Sequence, residues 1–545
     1  MQKKQTILVV ASLLVVVLSV TLAYFTAQII GKGKDVSVSS ADLKIIFTDT
    51  DGNIEGNDIT PGWSNSKTFT VKNESNETYK YNIVIKDLVN TFVTTGYLQY
   101  KITSTNDGYN MTEFKDVPKS SAPKDKILAY SVSIPVGVTQ SYTIEFKYAN
   151  DESVDQSDDM GKTLSGILYI GKGTVPTLDE KILSDNPIIK TRTDFNTTFT
   201  ETNTGTLYKA TESIAGNTPK DVYYFAGDAK NNWVKFGKYQ KDLIKYRGYY
   251  STTDTSYRDY STMDECTSAS SYNVNCTEYK YANAGDDIYW RIIRTNHDGS
   301  IRLLYAGTSH NTTEAYIGES AFNTTYNDPM YVGYMYGTSD SLANNRTNTN
   351  NSTIKTYIDN WYNNNLSSYS KYISTEAVYC NDRSLGTGQT YSTSSSFDYA
   401  PDERLSTNKT PTYNCANIKD SFSGSNSEAK LTYPIGLMTE DEIAYAGGNG
   451  FNPIPSPYVW YYLNSAGKSI TGSTYWWTLS PMNWSGSRAG AWYAFGSVLP
   501  GFISHRVNYE HAVRPAISLK TCTVWTSGDG TPSNPYEIDY ENSSC

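Results

Sequence analysis

The chain has 545 residues, a length that predicts two or three domains rather than a single hydrophobic core. Its formal net charge of -10 and pI of about 5.1 argue against a nucleic-acid-binding protein, because such proteins carry basic surfaces. Charged residues make up only 19% of the chain, whereas 47 residues are tyrosine. A neutral, aromatic surface suits adhesion or glycan contact. The codon bias of an AT-rich genome explains the same composition equally well.

An uncharged apolar segment runs from Thr6 to Ile30 behind Lys3 and Lys4. This layout is typical of a signal peptide or a membrane anchor, and about 20 apolar residues in a helix are enough to span a bilayer. We therefore expect residues 1–30 to direct export. The rest of the chain would then be extracellular or lie on the surface of a Gram-positive-type bacterium.

Hydrophobic and polar residues alternate between residues 31 and 173. The stretches Tyr79–Ile85 and Gln140–Tyr148 each place four large apolar side chains on one face. Many alternating strands without intervening helices predict an antiparallel all-β sandwich. Further strands are predicted at Leu43–Phe47, Lys67–Lys72, Leu98–Thr103, Ile127–Ile134 and Gly166–Ile170.

Four short motifs within residues 1–172 resemble the TasA/camelysin family of secreted biofilm-matrix proteins. These motifs are Thr21–Phe25, Ala41–Leu43, Ile59–Gly62 and Lys67–Asn73. The resemblance implies a jelly-roll sandwich over residues 31–173 and cleavage by a signal peptidase between Ala23 and Tyr24. Members of this family usually end after that domain, whereas a larger region follows here.

Residues 174–220 lose the alternating pattern. They are rich in Thr and Asn, contain scattered prolines and have little apolar content. This composition is typical of a linker or stalk.

Residues 221–523 combine strands with two helices, which predicts an α+β domain. Apolar residues recur at helical spacing over residues 354–362. A second helix begins with a capping box formed by Thr439 and Glu442 and stops at Gly447. Strands are predicted at Tyr289–Arg294, Ile301–Tyr305, Tyr475–Leu479, Ala491–Phe495 and Val513–Leu519.

Four motifs in this region resemble an uncharacterised domain of Firmicutes surface proteins, which is similar to the C-type-lectin-like fold of formylglycine-generating enzymes. These motifs are Trp290–Arg294, Tyr331–Gly337, Trp476–Pro481 and Val513–Ala516. The resemblance implies a C-type-lectin-like domain over residues 221–523. Because a buried arginine needs paired acceptors, we expect Arg514 to be a structural clamp rather than a ligand-binding residue.

All six cysteines follow the predicted linker, and an even number in an exported chain predicts disulfides. Six cysteines allow several pairings, among which proximity in the sequence selects. The pairs favoured in this way are Cys266 with Cys276, Cys380 with Cys415, and Cys522 with Cys545. The last pair would tie down a tail at residues 524–545. A zinc site is not expected, because the close CxxC spacing of such sites is absent.

The sequence does not encode a recognisable catalytic site. Gly161–Thr163 resembles the end of a phosphate-binding loop, but Gln156 stands where that loop needs a glycine. Formylglycine-generating enzymes oxidise their substrate with a cysteine pair, and the region Trp476–Leu519 contains no cysteine. His505 and His511 lack further predicted metal ligands. We therefore expect no enzymatic activity, no metal and no cofactor.

A segment rich in aromatic residues and arginine follows the Trp476–Pro481 motif, and such residues dominate binding hot spots. In proteins that resemble this fold, including the variable receptors made by diversity-generating retroelements, the corresponding segment forms the exposed ligand face. Alternatively, about half of its aromatic residues are core because strands alternate, with Trp492 and Phe495 buried. The predicted ligand-binding residues are Asn483, Trp484, Arg488, Tyr493, His505, Arg506, Asn508 and Tyr509.

Two functions fit these expectations. In the first, the chain is an adhesin-like surface or secreted protein whose lectin-like head binds a protein or glycan on a host or neighbouring cell. In the second, it is a structural biofilm-matrix or fibre subunit that assembles with its own copies through edge strands of the sandwich. Membrane contact is expected only through residues 6–30, if that segment is not cleaved.

Overall fold

The predicted export segment and its cleavage site between Ala23 and Tyr24 lie outside the described residues, as do Ala41 and Asp42 of the second motif. Among the described residues, none of the helices is both long enough and apolar enough to cross a bilayer. The structure is a computed structural model that describes residues 36–40, 43–49, 53–55, 59–94, 96–173, 176–253, 256–260, 262–449, 459–495, 502–540 and 545.

The chain divides into two compact units, Met1–Val175 and Pro176–Cys545. The strands of the first unit are β1 (Val36–Ser40), β2 (Leu43–Asp49), β3 (Asn53–Glu55), β4 (Ser64–Asn73), β5 (Tyr79–Asn90), β6 (Leu98–Ser104), β7 (Lys115–Asp116), β8 (Ser120–Ile134), β9 (Thr139–Tyr148) and β10 (Leu164–Lys172). They form a six-stranded antiparallel sheet in the order β1-β2-β4-β9-β6-β7 and a four-stranded antiparallel sheet in the order β3-β10-β5-β8. A short 3-10 helix spans Ser157–Asp159.

The two sheets share one hydrophobic core, and this unit is therefore a β-sandwich. In β9 the alternate residues Tyr142, Ile144, Phe146 and Tyr148 are buried, whereas those between them are partly or fully exposed. Ile83 of β5 enters the same core from the other sheet. The predicted alternation is confirmed in β9, whereas Tyr81–Ile85 of β5 are all buried, so both faces of β5 are covered there.

The second unit contains six helices within its described residues: α1 (Leu178–Asp185), α2 (Met263–Ser268), α3 (Leu342–Asn345), α4 (Thr353–Asn365), α5 (Ala400–Asp402) and α6 (Glu440–Ala446). Its strands are β11 (Ile188–Lys190), β12 (Thr202–Asn203), β13 (Thr206–Glu212), β14 (Lys220–Tyr224), β15 (Asp228–Ala229), β16 (Trp233–Lys238), β17 (Leu243–Tyr249), β18 (Tyr257–Tyr260), β19 (Val274–Ala282), β20 (Asp287–Thr295), β21 (Ile301–Tyr305), β22 (Glu319–Ala321), β23 (Met335–Tyr336), β24 (Asn350–Asn351), β25 (Tyr379–Cys380), β26 (Phe397–Asp398), β27 (Ser421–Phe422), β28 (Gly436–Leu437), β29 (Trp476–Trp484), β30 (Ala489–Ala494), β31 (Phe502–Arg506), β32 (Glu510–Ala512), β33 (Pro515–Leu519), β34 (Val524–Ser527) and β35 (Tyr536–Asp539).

The largest sheet of the second unit joins strands that are far apart in the sequence. Its ten strands include the run β11-β13-β14-β20-β16-β35-β34, and β21, β33 and β28 extend it from β20. Most of the pairs are antiparallel, but β11 runs parallel to β13 and β16 runs parallel to β35. Strand neighbours of this kind cannot be read from local sequence patterns, because pairing depends on contacts across the whole unit.

Two of the predicted domain boundaries are wrong. Residues 174–220 are not a linker, because α1, β11 and β13 lie there and β13 pairs with β14 in the largest sheet. Residues 524–545 are not merely a tail tied by a disulfide, because β34 and β35 belong to the same sheet. Both stretches are polar overall, yet they bury individual side chains such as Leu207 and Tyr536. Composition alone does not reveal strands with so few apolar residues.

Both predicted helices are present, as α4 and α6. The hydroxyl of Ser352 accepts a hydrogen bond from the amide of Lys355 and so caps α4. In α6 the hydroxyl of Thr439 accepts from the amide of Glu442 at 3.2 Å, and the Glu442 carboxylate accepts from the Thr439 amide at 3.0 Å. The predicted capping box is therefore confirmed. Its hydrogen bonds join residues only three positions apart, which is why the sequence alone predicts it.

The three predicted disulfides are also present. Within the described residues no cysteine is left unpaired. The bonds join Cys266 to Cys276, Cys380 to Cys415, and Cys522 to Cys545.

Candidate ligand-binding site

The predicted ligand face lies on a second sheet of the Pro176–Cys545 unit, with the strand order β22-β32-β29-β30-β31 and β26 paired to β29. Asn483 near the end of β29 pairs with Gly490 of β30, which in turn pairs with Arg506 at the end of β31. The strand register therefore places Asn483 and Arg506 on either side of one glycine.

These three strands and the turn between β29 and β30 border an open concavity with a volume of about 340 Å³. Small-ligand sites range from about 300 to 1,000 Å³. Gly490 leaves room for the Asn483 amide, because a Cβ there would lie 2.5 Å from Oδ1 of Asn483 and would shift that side chain. The lining residues are Asn483, Ser485, Arg488, Ala489, Gly490, Ser504, His505, Arg506 and Tyr509.

Two arginines give the concavity a positive charge. Arg488 is exposed on the turn after β29, and Arg506 is half-buried. No Asp or Glu lines the concavity, and no carboxylate of the described residues forms an ion pair with either guanidinium. Arg506 donates a hydrogen bond from Nη2 to the hydroxyl of Tyr509, and its guanidinium lies 4.7 Å from the centre of that ring. The two cations thus have no anionic partner in the described fold.

Stacked rings form one wall of the concavity. His505 and Tyr509 lie nearly parallel with their ring centres 3.7 Å apart, and Nδ1 of His505 lies 2.9 Å from Nε2 of His511. Burial, followed by the neighbouring His505, lowers the pKa of His511 to about 3. Burial also lowers the pKa of His505. The two histidine rings are therefore uncharged at neutral pH. In the described part of the chain, no group of three or more potential metal ligands occurs.

Trp484 and Tyr493 do not line the concavity, contrary to the prediction. Their side chains are 1% and 8% exposed, and both belong to the hydrophobic core of the unit. Trp484 follows Asn483 along β29, so the two side chains point to opposite faces of the sheet. Tyr493 packs against Trp477 and His511 with ring centres 6.2 and 4.7 Å away.

Asn508 also departs from the prediction, whereas the other five predicted residues line the concavity. Asn508 is half-buried and lies outside the lining, and its Oδ1 has no hydrogen-bond partner among the described residues. Trp492 is buried, as expected for a core residue, whereas Phe495 is only half-buried. The structure brings together Asn483, Arg488, His505, Arg506 and Tyr509.

Sequence reasoning missed two serines of the concavity, Ser485 and Ser504. Serine is common throughout this chain, so its occurrence carries no signal by itself. Ser485 lies two residues after the predicted Asn483, and Ser504 directly precedes the predicted His505. These positions are the only hint that the sequence offers.

Arg514 is the structural clamp that its motif predicted. It is fully buried, and its guanidinium donates to the carbonyl oxygen of Tyr461 at 2.8 Å and to that of Tyr305 at 3.1 Å. Because its donors are engaged by backbone carbonyls of the core, Arg514 fixes the position of neighbouring segments and does not reach the concavity.

A buried charge network elsewhere in the unit is structural as well. Arg294 pairs with Glu212 and Glu442, and Arg302 pairs with Glu442, each at 2.9 Å. Burial raises the pKa of Glu442, but Arg302 and Arg294 outweigh it and hold that pKa below its usual value. The adjoining cavity measures about 20 Å³, enough for about one water molecule. No ligand of useful size fits there.

No protein-family model matches the chain, and no curated protein is significantly similar to it. Solved structures with some similarity include a chain from a study titled "Chaperone-tip adhesin complex is vital for synergistic activation of CFA/I fimbriae biogenesis". It is 12% identical, with coverage of 45% of this chain and 92% of that chain and a TM-score of 0.08. The class 5 fimbriae chaperone CfaA is 13% identical, with coverage of 46% and 90% and a TM-score of 0.08. Similarities this weak carry no argument about fold or function.

Proposed function

We propose that the chain is an adhesin-like binding protein, secreted from or displayed on a bacterial cell, whose second unit recognises a ligand in the concavity. The observation that carries this proposal is the convergence of five side chains in one open site of about 340 Å³. The five residues are Asn483, Arg488, His505, Arg506 and Tyr509. The proposal includes no catalytic step.

The properties of these side chains support ligand binding rather than folding. Arg488 and Arg506 form no ion pair with described residues, so neither charge is neutralised by a described carboxylate. Tyr509 leaves 39% of its surface exposed beside them. A single exposed tyrosine is ordinary, but tyrosine and arginine together in a concavity are the residue types that dominate binding hot spots.

Two further observations support an extracellular location. Three disulfides are present in the second unit, and disulfides persist mainly in oxidising compartments outside the cytoplasm. The apolar segment from Thr6 to Ile30 has the layout of a signal peptide or anchor. The two sequence resemblances extend the proposal. The first unit would be a TasA/camelysin-like sandwich, and the second would be a C-type-lectin-like head that binds a ligand on a host or neighbouring cell.

One feature of the first unit favours a second candidate, a self-assembling matrix or fibre subunit. Strand β8 has 15 residues and lies at one edge of its sheet. Long edge strands can pair with another chain. However, its first half carries Pro123, Lys124 and Lys126, residue types that oppose such pairing. Fibres of the purified chain in electron micrographs, formed without any added ligand, would favour this candidate.

The adhesin-like function is tested with two double variants of the purified chain. R488A/R506A removes both cations of the concavity. K241A/K468A removes the same charge from two exposed lysines outside it. Each protein is applied to arrays of host and bacterial glycans and surface proteins.

We expect the wild-type chain and K241A/K468A to bind at least one common ligand that R488A/R506A no longer binds. Circular dichroism confirms that all three proteins are folded. If the wild type binds nothing, or if R488A/R506A binds every ligand as well as the wild type does, the proposed function is wrong.

A further inference from the structure

We infer that the ligand is an acidic saccharide, in which Arg488 and Arg506 bind a single carboxylate or sulfate group and Tyr509 packs against the sugar ring. This inference rests on the proposed function and specifies the chemistry of its ligand.

The charge of the concavity points to an anion. Elsewhere in this unit the fold itself supplies acceptors for arginine: Arg247, for example, lies 2.8 Å from a carboxylate oxygen of Asp259 and 2.6 Å from one of Glu314. Arg488 and Arg506 instead face a site without any carboxylate lining. Guanidinium groups bind carboxylate and sulfate through paired N–H···O bonds. An anionic group of the ligand would supply the missing acceptors.

The number of cations limits the ligand to about one anionic group. The whole chain carries a net charge of -10, which repels an extended polyanion such as a nucleic acid. Sites for such polymers show a basic stripe along the surface, whereas the lining here holds two arginines and no lysine. The concavity is therefore a small cationic site on a protein that is acidic overall.

The other lining residues suit a sugar ring. The ring of Tyr509 is held by its stacking on His505 and by the hydrogen bond from Arg506, and 39% of the side chain stays exposed, so part of an aromatic surface is already in place before binding. Ser485 and Ser504 add neutral hydroxyl groups to the same concavity. A sugar ring presents both C–H groups, which pack on an aromatic face, and hydroxyls, which need donors and acceptors. A preformed site of this kind lowers the entropic cost of binding.

An acidic peptide is the main competing ligand. β31 stands at the end of its sheet's strand order, where a peptide could add as a further strand. Asn483 and Arg488, however, come from β29 and the turn that follows it, on the far side of β30 from that edge. A strand added to β31 would leave both of these residues unused, which is why the saccharide is favoured.

Isothermal titration calorimetry of the purified chain at physiological ionic strength tests the inference with four probes. Sialyllactose and sulfated lactose each carry one acidic group on a sugar. Lactose retains the sugar without the charge, and hexaglutamate retains carboxylates without the sugar. We expect at least one acidic sugar to bind about tenfold or more tightly than lactose and hexaglutamate, the minimum for one charge-assisted hydrogen bond.

Variants separate the charge from the ring. R488A/R506A is expected to weaken binding of the acidic sugar by about tenfold or more, whereas K241A/K468A changes it by less than about twofold. R488K/R506K retains the charge without the paired geometry and should recover binding only in part. Y509A should weaken the neutral sugar as well as the acidic sugars, because packing on the ring does not depend on the charge of the ligand.

Three results would overturn the inference. These are lactose binding as tightly as both acidic sugars, hexaglutamate binding more tightly than either, and no binding of either acidic sugar at millimolar concentration. None of them alone rejects the proposed function, which fails only when no array ligand depends on Arg488 and Arg506.

Discussion

Glu440 is a carboxylic acid within the core of the second unit. It is the first residue of α6, and its side chain is completely buried. Burial raises the pKa of Glu440 well above its usual value, and a contact with Thr478 offsets this effect only in part. The native state therefore retains a proton that the unfolded chain releases once the pH exceeds about 4.5.

Glu440→Gln should raise the free energy of unfolding at neutral pH. Since the native state binds one proton more than the unfolded state, the stability of the wild type falls as the pH rises above 4.5. Glutamine does not titrate, so this pH dependence is absent from the variant. The difference in unfolding free energy between the variant and the wild type should therefore become smaller in more acidic solution. Urea denaturation over a pH series measures the difference. The exposed Glu278→Gln variant serves as control, and a constant difference between E440Q and wild type would contradict the prediction.

Trp484→Ala should act on stability rather than on recognition. Its side chain is 1% exposed and belongs to the core, so truncation should cost about 3–5 kcal/mol of unfolding free energy. Tyr509→Ala removes a partly exposed ring that stacks on His505, so it should cost less than Trp484→Ala, about 1 kcal/mol. Urea denaturation of both variants measures these values. A stable W484A protein that has lost its ligand would show that the indole does contact ligand.

At the scale of single elements, β29 shows how far the sequence predicts the site. Its register with β30 shifts between Trp477 and Pro481 and again between Pro481 and Asn483. Proline has no amide hydrogen for the sheet, so irregularities of this kind are expected beside it. Counting alternate positions from Trp477 therefore could not decide whether Asn483 or Trp484 faces the concavity.

The helices were easier to predict than the strand neighbours. The capping box of α6 lies within four consecutive residues, so the sequence alone displays all of its hydrogen-bonding groups. The polar strand β13 carries no such local signal, and its pairing with β11 and β14 depends on residues outside it. Alternating strands such as β9 allow the sandwich to be predicted. The strands within residues 174–220 contain too few apolar residues to be predicted in this way.

Thr439→Ala should destabilise the second unit by about 1 kcal/mol or more, the usual cost of a lost helix cap. An excess over that value is expected, because the same capping box holds Glu442 in its ion pairs with Arg294 and Arg302. Thr439→Ser retains the hydroxyl and should remain close to the wild type. Thermal denaturation compares the three proteins. Equal losses for alanine and serine would show that the hydroxyl is not responsible.

At the scale of the whole molecule, the two units differ in what stabilises them. The sandwich of the first unit rests on one hydrophobic core, and the sequence before Val175 contains no cysteine. The second unit has its own larger core and all three disulfides. Disulfides stabilise mainly by restricting the unfolded chain, typically by about 2–4 kcal/mol each.

Reduction should therefore weaken only the second unit. We expect dithiothreitol to increase amide hydrogen exchange in peptides from residues 262–295, while peptides from residues 96–173 exchange as before. Mass spectrometry of the same sample with and without reductant gives both measurements. Faster exchange in both regions would contradict the prediction.

The parallel pairing of β16 with β35 links Lys235 to Glu537, which are 302 positions apart along the chain. A ribosome makes β16 long before it makes this neighbour, so the largest sheet cannot close before β35 has been synthesised. Contacts over such a distance also form slowly once both strands are available. The second unit consequently remains without its complete sheet until synthesis has passed Asp539.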